Sequence, residues 1–420
     1  MQLSKENKLS IYLYLILIVN QSGVRLPFLN YMTGNNQIVL AVLLLLVGFL
    51  FFRKEGRLHY HWLGMRLFWW LLTALVLSIF MAYYEWQQDY STSILLYRHH
   101  IWLLFLPLFL YVKPSVKSIS DALFAFTITS GLVWVGQVIG ILPVTVHETI
   151  TGVIMDGTDE FGGYGVVGVR IVTFSLYLFL WEVSLKLSKI NILKALIAII
   201  VVVLSTQRAM LLFALLFTAY VFIFKIKKVS ISLLFTISAL LFFINTQEIW
   251  SGFIDETTAQ MGDKDYNRWK AIDYFLNHYS KGFVPKYLGN GFLSLKNSGG
   301  VLLYNLGYDG IFIDDIGMLG VWVRYGLIPL LIVYYVVIKI FMSKSSPLYM
   351  RLMGLHIALL PNSWTLIGPH YFVLLFLIYL YCLNGNIANI EPESADMRRS
   401  SAWCPNMRVR HPYPWFWQWR

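Results

Sequence analysis

Four arginines, two adjacent aspartates and three histidines are the residues of this chain whose type and placement could do chemistry. Arg208 ends Ser205-Thr206-Gln207-Arg208, a hinge between two apolar runs joined by only a few residues. Arg170 and Arg324 lie roughly one to two turns inside apolar segments, counted at 3.6 residues per turn. Arg268 belongs to a long polar connection and has Lys264 and Lys270 close by. Charge near hydrocarbon is costly, so such residues are paired or functional. Guanidinium groups grip phosphate and diphosphate bidentately and stay charged at any pH. The ligand these arginines suit is a phosphate-bearing lipid.

Each residue also has a plainer reading. Arg208 could snorkel to an interface, and Arg170 and Arg324 could form ion pairs that brace helices. Arg268 could be a solvated charge balanced by Asp263, Asp265 and Asp273. Asp314 and Asp315 could pair with an arginine, serve as a general base or position an acceptor hydroxyl; equally, they could only solvate a helix start. For His278, His99 and His100, a structural role and a ligand contact both stand. No P-loop, Gly-rich dinucleotide fingerprint or His/Cys metal spacing occurs, which argues against a nucleotide-driven pump and a zinc enzyme. No cofactor, metal or nucleic-acid partner is expected. Cys382 and Cys404 imply no disulfide framework.

The elements that must position these residues are transmembrane helices. The chain of 420 residues is 58% hydrophobic and only 13% charged, with a mean hydropathy of +0.62. That balance belongs to membrane proteins and not to soluble domains. Apolar runs near 9–24, 37–52, 63–84, 99–112, 119–142, 165–185, 191–206, 208–224, 229–245, 316–341, 348–362 and 367–386 predict about twelve spans. Each is read as a helix, because backbone groups cannot stay unpaired in lipid. No small-residue cleavage site follows Leu9–Val19, so that stretch is expected to be a retained span.

Basic residues set the orientation. Lys5 and Lys8, then Arg53, Lys54 and Arg57, then Lys113 and Lys117 fall in alternate connections. So do Lys186, Lys189 and Lys194, then Lys225, Lys227 and Lys228, then Lys339, Lys344 and Arg351. The first two opposite connections carry only Arg25 and Arg98, and the third, at 143–163, is acidic and Gly-rich with no Lys or Arg. Both termini are therefore expected in the cytoplasm. The predicted fold is all-α, a polytopic domain over 1–390 with a large periplasmic loop, 246–315, between the ninth and tenth spans. A basic, Trp-rich tail over 391–420 follows on the cytoplasmic side.

A connection as long as 246–315 usually carries function. Within it Trp269, Ile272, Phe275, Leu276 and Tyr279 recur at helical spacing, which predicts an amphipathic helix with Arg268 close to its buried stripe. Gly289-Asn290-Gly291 and Gly299-Gly300 then break the chain into turns.

Three segments carry a resemblance. Ser205-Thr206-Gln207-Arg208-Ala209-Met210-Leu211-Leu212 resembles the small-polar-Arg segment of the bacterial O-antigen and polysaccharide polymerases, relatives of the O-antigen ligases. Tyr266-Asn267-Arg268-Trp269-Lys270-Ala271 with Leu288-Gly289-Asn290-Gly291-Phe292 is similar to the Arg-bearing helix and Gly-x-Gly turn of that family's long periplasmic loop. The stretch from Asp314 to Gly326 is similar to the segment leading back into the membrane. Ligases usually have a His in that third segment, where this chain has Asp314-Asp315, and the difference favours the polymerase.

The resemblance implies a glycosyltransferase that moves a growing glycan from undecaprenyl diphosphate to the next lipid-linked repeat unit at the periplasmic face. Arg208 and Arg268 would stabilise the diphosphate, and Asp314 or Asp315 would orient or deprotonate the acceptor. Arg170, Arg324 and His278 would bind substrate. The implied partners are the undecaprenyl-diphosphate-linked oligosaccharide, membrane lipids and a chain-length regulator protein. The competing readings are an O-antigen ligase acting on lipid A core and a lipid-linked oligosaccharide flippase. Transporters are commonly built from matched halves with short loops, which this chain does not show.

Overall fold

A computed structural model describes residues 4–20, 34–52, 62–142, 147–148, 154–155, 169–204, 208–222, 258, 267–280, 282–313, 316, 318–342, 349 and 351–353. Its helices are α1 (Lys5–Asn20), α2 (Gly34–Phe51), α3 (Trp62–Trp86), α4 (Tyr90–Leu96), α5 (Phe105–Val112), α6 (Val116–Val138), α7 (Val169–Leu185), α8 (Lys189–Leu204) and α9 (Arg208–Tyr220). Further along come α10 (Asn267–Asp273), α11 (Phe283–Leu288), α12 (Ser298–Tyr308), α13 (Met318–Tyr325) and α14 (Leu327–Met342). The fold is mostly helical, as expected; the described exception is a two-residue antiparallel pairing, His147–Glu148 with Ile154–Met155.

The clearest candidate for a membrane-crossing element is α6. Its 23 residues reach roughly 35 Å at 1.5 Å per residue, enough for a hydrocarbon core of about 30 Å. Among the described residues it alone is long and apolar enough to cross by itself. Tyr90–Leu96 with His100–Val112 form a pair bent by 65° that could cross together, and Ile38–Phe51, Leu72–Trp86 and Ile171–Leu185 are shorter apolar helices. The fourth predicted span thus begins as a 3-10 segment, Tyr97–Leu104, and becomes α-helical only at Phe105. Large apolar side chains such as Leu50, Val76, Leu132 and Leu331 face outward along the bundle. A soluble monomer rarely shows so much, so these faces call for an apolar surround.

Local chemistry sets the helix ends. Lys113 takes a left-handed conformation after α5, and Ser115 then caps α6 by accepting from the Ser118 amide at 3.1 Å. The core is built around α6, which packs against α1, α7 and α8. A Tyr14–Thr129 hydrogen bond of 2.7 Å and a Glu6–Lys117 pair at 3.9 Å lay α1 parallel to α6. Phe52 of the chain after α2 packs tilted against Tyr12, and Phe49 meets Tyr111 of α5.

At the N-terminal end of α6 the structure corrects the reading of Lys194 as a loop charge. Its ammonium is buried, 2.9 Å from Asp121 and from Ser120 Oγ and 3.7 Å from Glu182. The rings of Phe124 and Phe179 flank it, each centred 5.8 Å away. One lysine therefore ties α6, α7 and α8 together. The lysine reaches inward because two acids on neighbouring helices replace its water.

The tenth predicted span, 316–341, is two helices and not one. The break is Gly326, at φ +86°, where a Cβ would collide with the Tyr287 carbonyl and the Leu288 backbone. The described part of the long loop shares a small core with α13: Ala271, Phe275, Tyr279, Leu306 and Ile313 pack with Ile316 and Val323. The predicted amphipathic helix is α10, continued from Tyr274 to Tyr279 in the wider π winding. Ala271, Phe275 and Tyr279, four residues apart, are buried; Trp269, expected in the stripe, lies about 120° around the helix from Phe275 at 3.6 residues per turn and is 49% exposed. The predicted spans at 229–245 and 367–386, nearly all of 348–362, and the tail at 391–420 lie outside the described residues.

Candidate functional site

The long loop meets the bundle at a seam held by backbone. Gly289 and Gly291 have φ of +83° and +78°, and a Cβ on either would strike backbone, of Arg324 for the first and of Ser78 for the second. The absent side chains let the turn lie directly on α13 and α3. The Asn290 amide donates to Val323 O at 2.8 Å, and the Gly291 amide donates to Arg324 O at 2.9 Å. The Asn290 side chain donates to Ser280 Oγ and to Val323 O, both at 3.0 Å. Gln88 receives the Ser294 amide at 2.7 Å and donates to Phe292 O at 3.0 Å, and Asn297 donates to Trp86 O at 2.6 Å. A loop pinned at this many polar points is positioned, not merely attached.

Arg324 sits in this seam with 8% exposure. Its guanidinium lies over the Phe292 ring, 5.3 Å from the centroid, a cation–π geometry. Tyr97 closes the other side: its ring is 6.1 Å from Phe292 and 5.1 Å from His100, and its hydroxyl bonds Ser78 Oγ at 2.5 Å and also Tyr325. The field of Arg324 reaches Tyr97 and Tyr279. Tyr279 stacks on Trp86 at 5.2 Å. Burial pushes its phenol pKa up, against the pull of the nearby guanidinium, so Tyr279 stays a neutral donor. The arrangement is a buried guanidinium walled by aromatic rings.

The other predicted residues fall in different places. Arg268 is on the first turn of α10, exposed, on the helix whose buried face packs into the cluster containing Val323. Lys270 is exposed on the same helix. Arg170 and Arg208 have their backbones at the first turns of α7 and α9; their side chains lie outside the described residues. Asp314 and Asp315 also lie outside them, although Ile313 and Ile316 on either side are buried in the loop core. Asp263, Lys264 and Asp265, and the side chain of His99, lie outside as well. His278 is on an exposed face with its Nε2 3.8 Å from the Asp273 carboxylate. Of the predicted residues, Arg324 lies within the seam and His100 packs behind its Tyr97 wall.

Sequence reasoning passed over Tyr97 and Gln88, and it named Phe292 only as the end of the Gly-x-Gly segment. Gln87-Gln88-Asp89 reads as an ordinary polar connection, and nothing in it marks Gln88 as 2% exposed. The Lys194 cluster did leave a signal: Asp121 and Glu182 lie within apolar segments, where charge calls for a partner. Neither a protein-family model, nor a curated protein, nor a solved structure matches this chain.

Proposed function

We propose that this protein is a twelve-span inner-membrane polysaccharide polymerase, joining undecaprenyl-diphosphate-linked repeat units at the periplasmic face. The observation that carries the reading is Arg324, a guanidinium buried where the long loop folds back onto the bundle. Burying a cation is costly, and placing one beside a glycine turn that fixes loop to helix suits an anionic group delivered from the bilayer. The three segments that resemble the polymerases bracket this same loop.

In the proposed reaction an acceptor hydroxyl attacks the anomeric carbon of the donor sugar. The new glycosidic C–O bond forms as the bond to diphosphate breaks, and the lipid diphosphate leaves with the electron pair. Arg208 and Arg268 stabilise that leaving charge, with Arg170, Arg324 and His278 in substrate binding. The hydroxyl proton passes to Asp314 or Asp315. The lipid diphosphate is itself the activated donor, so the step calls on no nucleotide. Membrane lipids and a chain-length regulator are the proposed partners.

A chromosomal deletion followed by a gel of the surface polysaccharide tests the reading. A single capped repeat is expected. Uncapped core with accumulated lipid-linked polymer would indicate a ligase, and precursor held on the cytoplasmic side would indicate a flippase. Arg208→Ala and Arg268→Ala in the complementing copy should each abolish the ladder, and normal ladders from both would sink the assignment.

A further inference from the structure

Beside the seam, on the loop side of α13, lies a cavity of about 230 Å³ lined by Leu276, Asn277, Ser280, Lys286, Trp322 and Val323. It is smaller than the roughly 300–1,000 Å³ of a drug-sized site and has room for one ring, not a chain. Its walls are fixed. The Trp322 indole donates to the Lys286 carbonyl, which holds the ring in one orientation. The Asn290 side chain joins Ser280 to the Val323 carbonyl at 3.0 Å each. Asn277 spends its amide N–H on Asp273 at 2.7 Å, which leaves its carbonyl oxygen as an acceptor. The Leu276–Asn277 wall belongs to the π-wound turn, a distortion often found at functional sites.

Lys286 is exposed at the mouth, and no carboxylate pairs with it among the described residues. None of the six lining residues is acidic. The cavity therefore combines a pinned aromatic plane, a hydroxyl, one amide acceptor and a single cation. A flat indole suits the apolar face of a sugar ring, and the ammonium suits a carboxylate on that ring.

We propose that this cavity binds one carboxylate-bearing sugar residue of the substrate glycan, with Trp322 as the platform and Lys286 as the residue that selects the acid. The inference rests on the glycan reading above and adds a substrate class to it. Trp322 and Val323 immediately precede Arg324, so the proposed subsite sits on the same helix turn as the seam cation. A repeat unit held here has its position set relative to the seam by α13 itself.

Saturation-transfer NMR on the full chain in detergent tests the idea, with glucuronate, glucose and inorganic phosphate as probes. Wild type should transfer several-fold more saturation to glucuronate than to glucose, and equimolar phosphate should leave the glucuronate signal standing. Lys286→Ala, a surface change that folding tolerates, should bring glucuronate down to the glucose level. Trp322→Phe keeps a flat ring and should retain the preference for the acid. Equal signals for the two sugars in wild type, an unchanged preference in K286A, or displacement by phosphate would each overturn the proposal. The readout needs no polymer formation, so its failure leaves the polymerase reading intact. Normal ladders from the Arg208 and Arg268 variants would sink that reading without altering the binding result.

Discussion

Two buried cations lie in separate parts of this molecule, and their surroundings differ. Lys194 is held by Asp121, Glu182 and Ser120 from the two helices packed on its own. These contacts join three helices, which makes Lys194 a brace. Arg324 lies against the Phe292 ring and near the phenols of Tyr97 and Tyr279, at a seam made by a loop. The same cost of burial yields a three-helix joint in one place and a candidate ligand site in the other.

If that contrast holds, removing Lys194 should damage the fold most. Lys194→Met leaves two carboxylates facing each other, and breaking a buried pair costs about 3–5 kcal/mol. The loss should fall toward the lower figure because the Asp121 side chain is 38% exposed. Thermal unfolding in detergent should show a large drop that Asp121→Asn with Glu182→Gln largely restores. A melting temperature unchanged by Lys194→Met would remove the brace from the comparison.

Arg324→Met should do the reverse. Chain elongation should fall on the order of 10- to 100-fold, the scale of losing one charge-assisted hydrogen bond of about 1.5–3 kcal/mol to bound substrate, while the melting temperature moves little. A variant that unfolds but keeps its specific activity would make Arg324 a second brace. Gly326→Ala comes next, because it strains a φ of +86° and pushes on the Tyr287 carbonyl; about 1–3 kcal/mol should be lost. Elongation should drop with it, since the break it supports sets the Arg324 turn against the loop. Smallest of all, Asp273→Asn should shift stability by no more than a few tenths of a kcal/mol, as Asp273 and His278 are 66% and 62% exposed. A large loss of elongation from that change would give His278 a substrate role that its surface position alone does not explain.

Much of the helical plan was legible because hydropathy and helix geometry act locally. The starts of α6, α8 and α9 fall within three residues of the predicted positions, and α10 appears where the loop periodicity put a helix. The break at Gly326 was not legible, because its cause is the approach of Tyr287 and Leu288, remote in sequence. The exposure of Trp269 was missed for a related reason: which side of the helix packs inward is set by the elements it meets, and the buried line runs through Ala271, Phe275 and Tyr279. Lys194 was assigned by counting charges near a span end, a rule that ignores whether acids wait on the next helices.

By itself the sequence determined an all-helical chain with strongly apolar segments, a long interrupted connection and a small set of arginines suited to phosphate. These follow from composition and short-range periodicity, which depend on neighbours along the chain. Only the tertiary structure decided which cation is a brace and which faces a seam. It also decided that Gly289-Asn290-Gly291 is the clasp between loop and bundle, and that Tyr97 and Phe292 wall in Arg324. Those outcomes depend on contacts between residues up to about two hundred positions apart, such as Gln88 with Phe292. The free energy of burying a charge or a backbone amide is set by what packs against it, and the chain order does not state that.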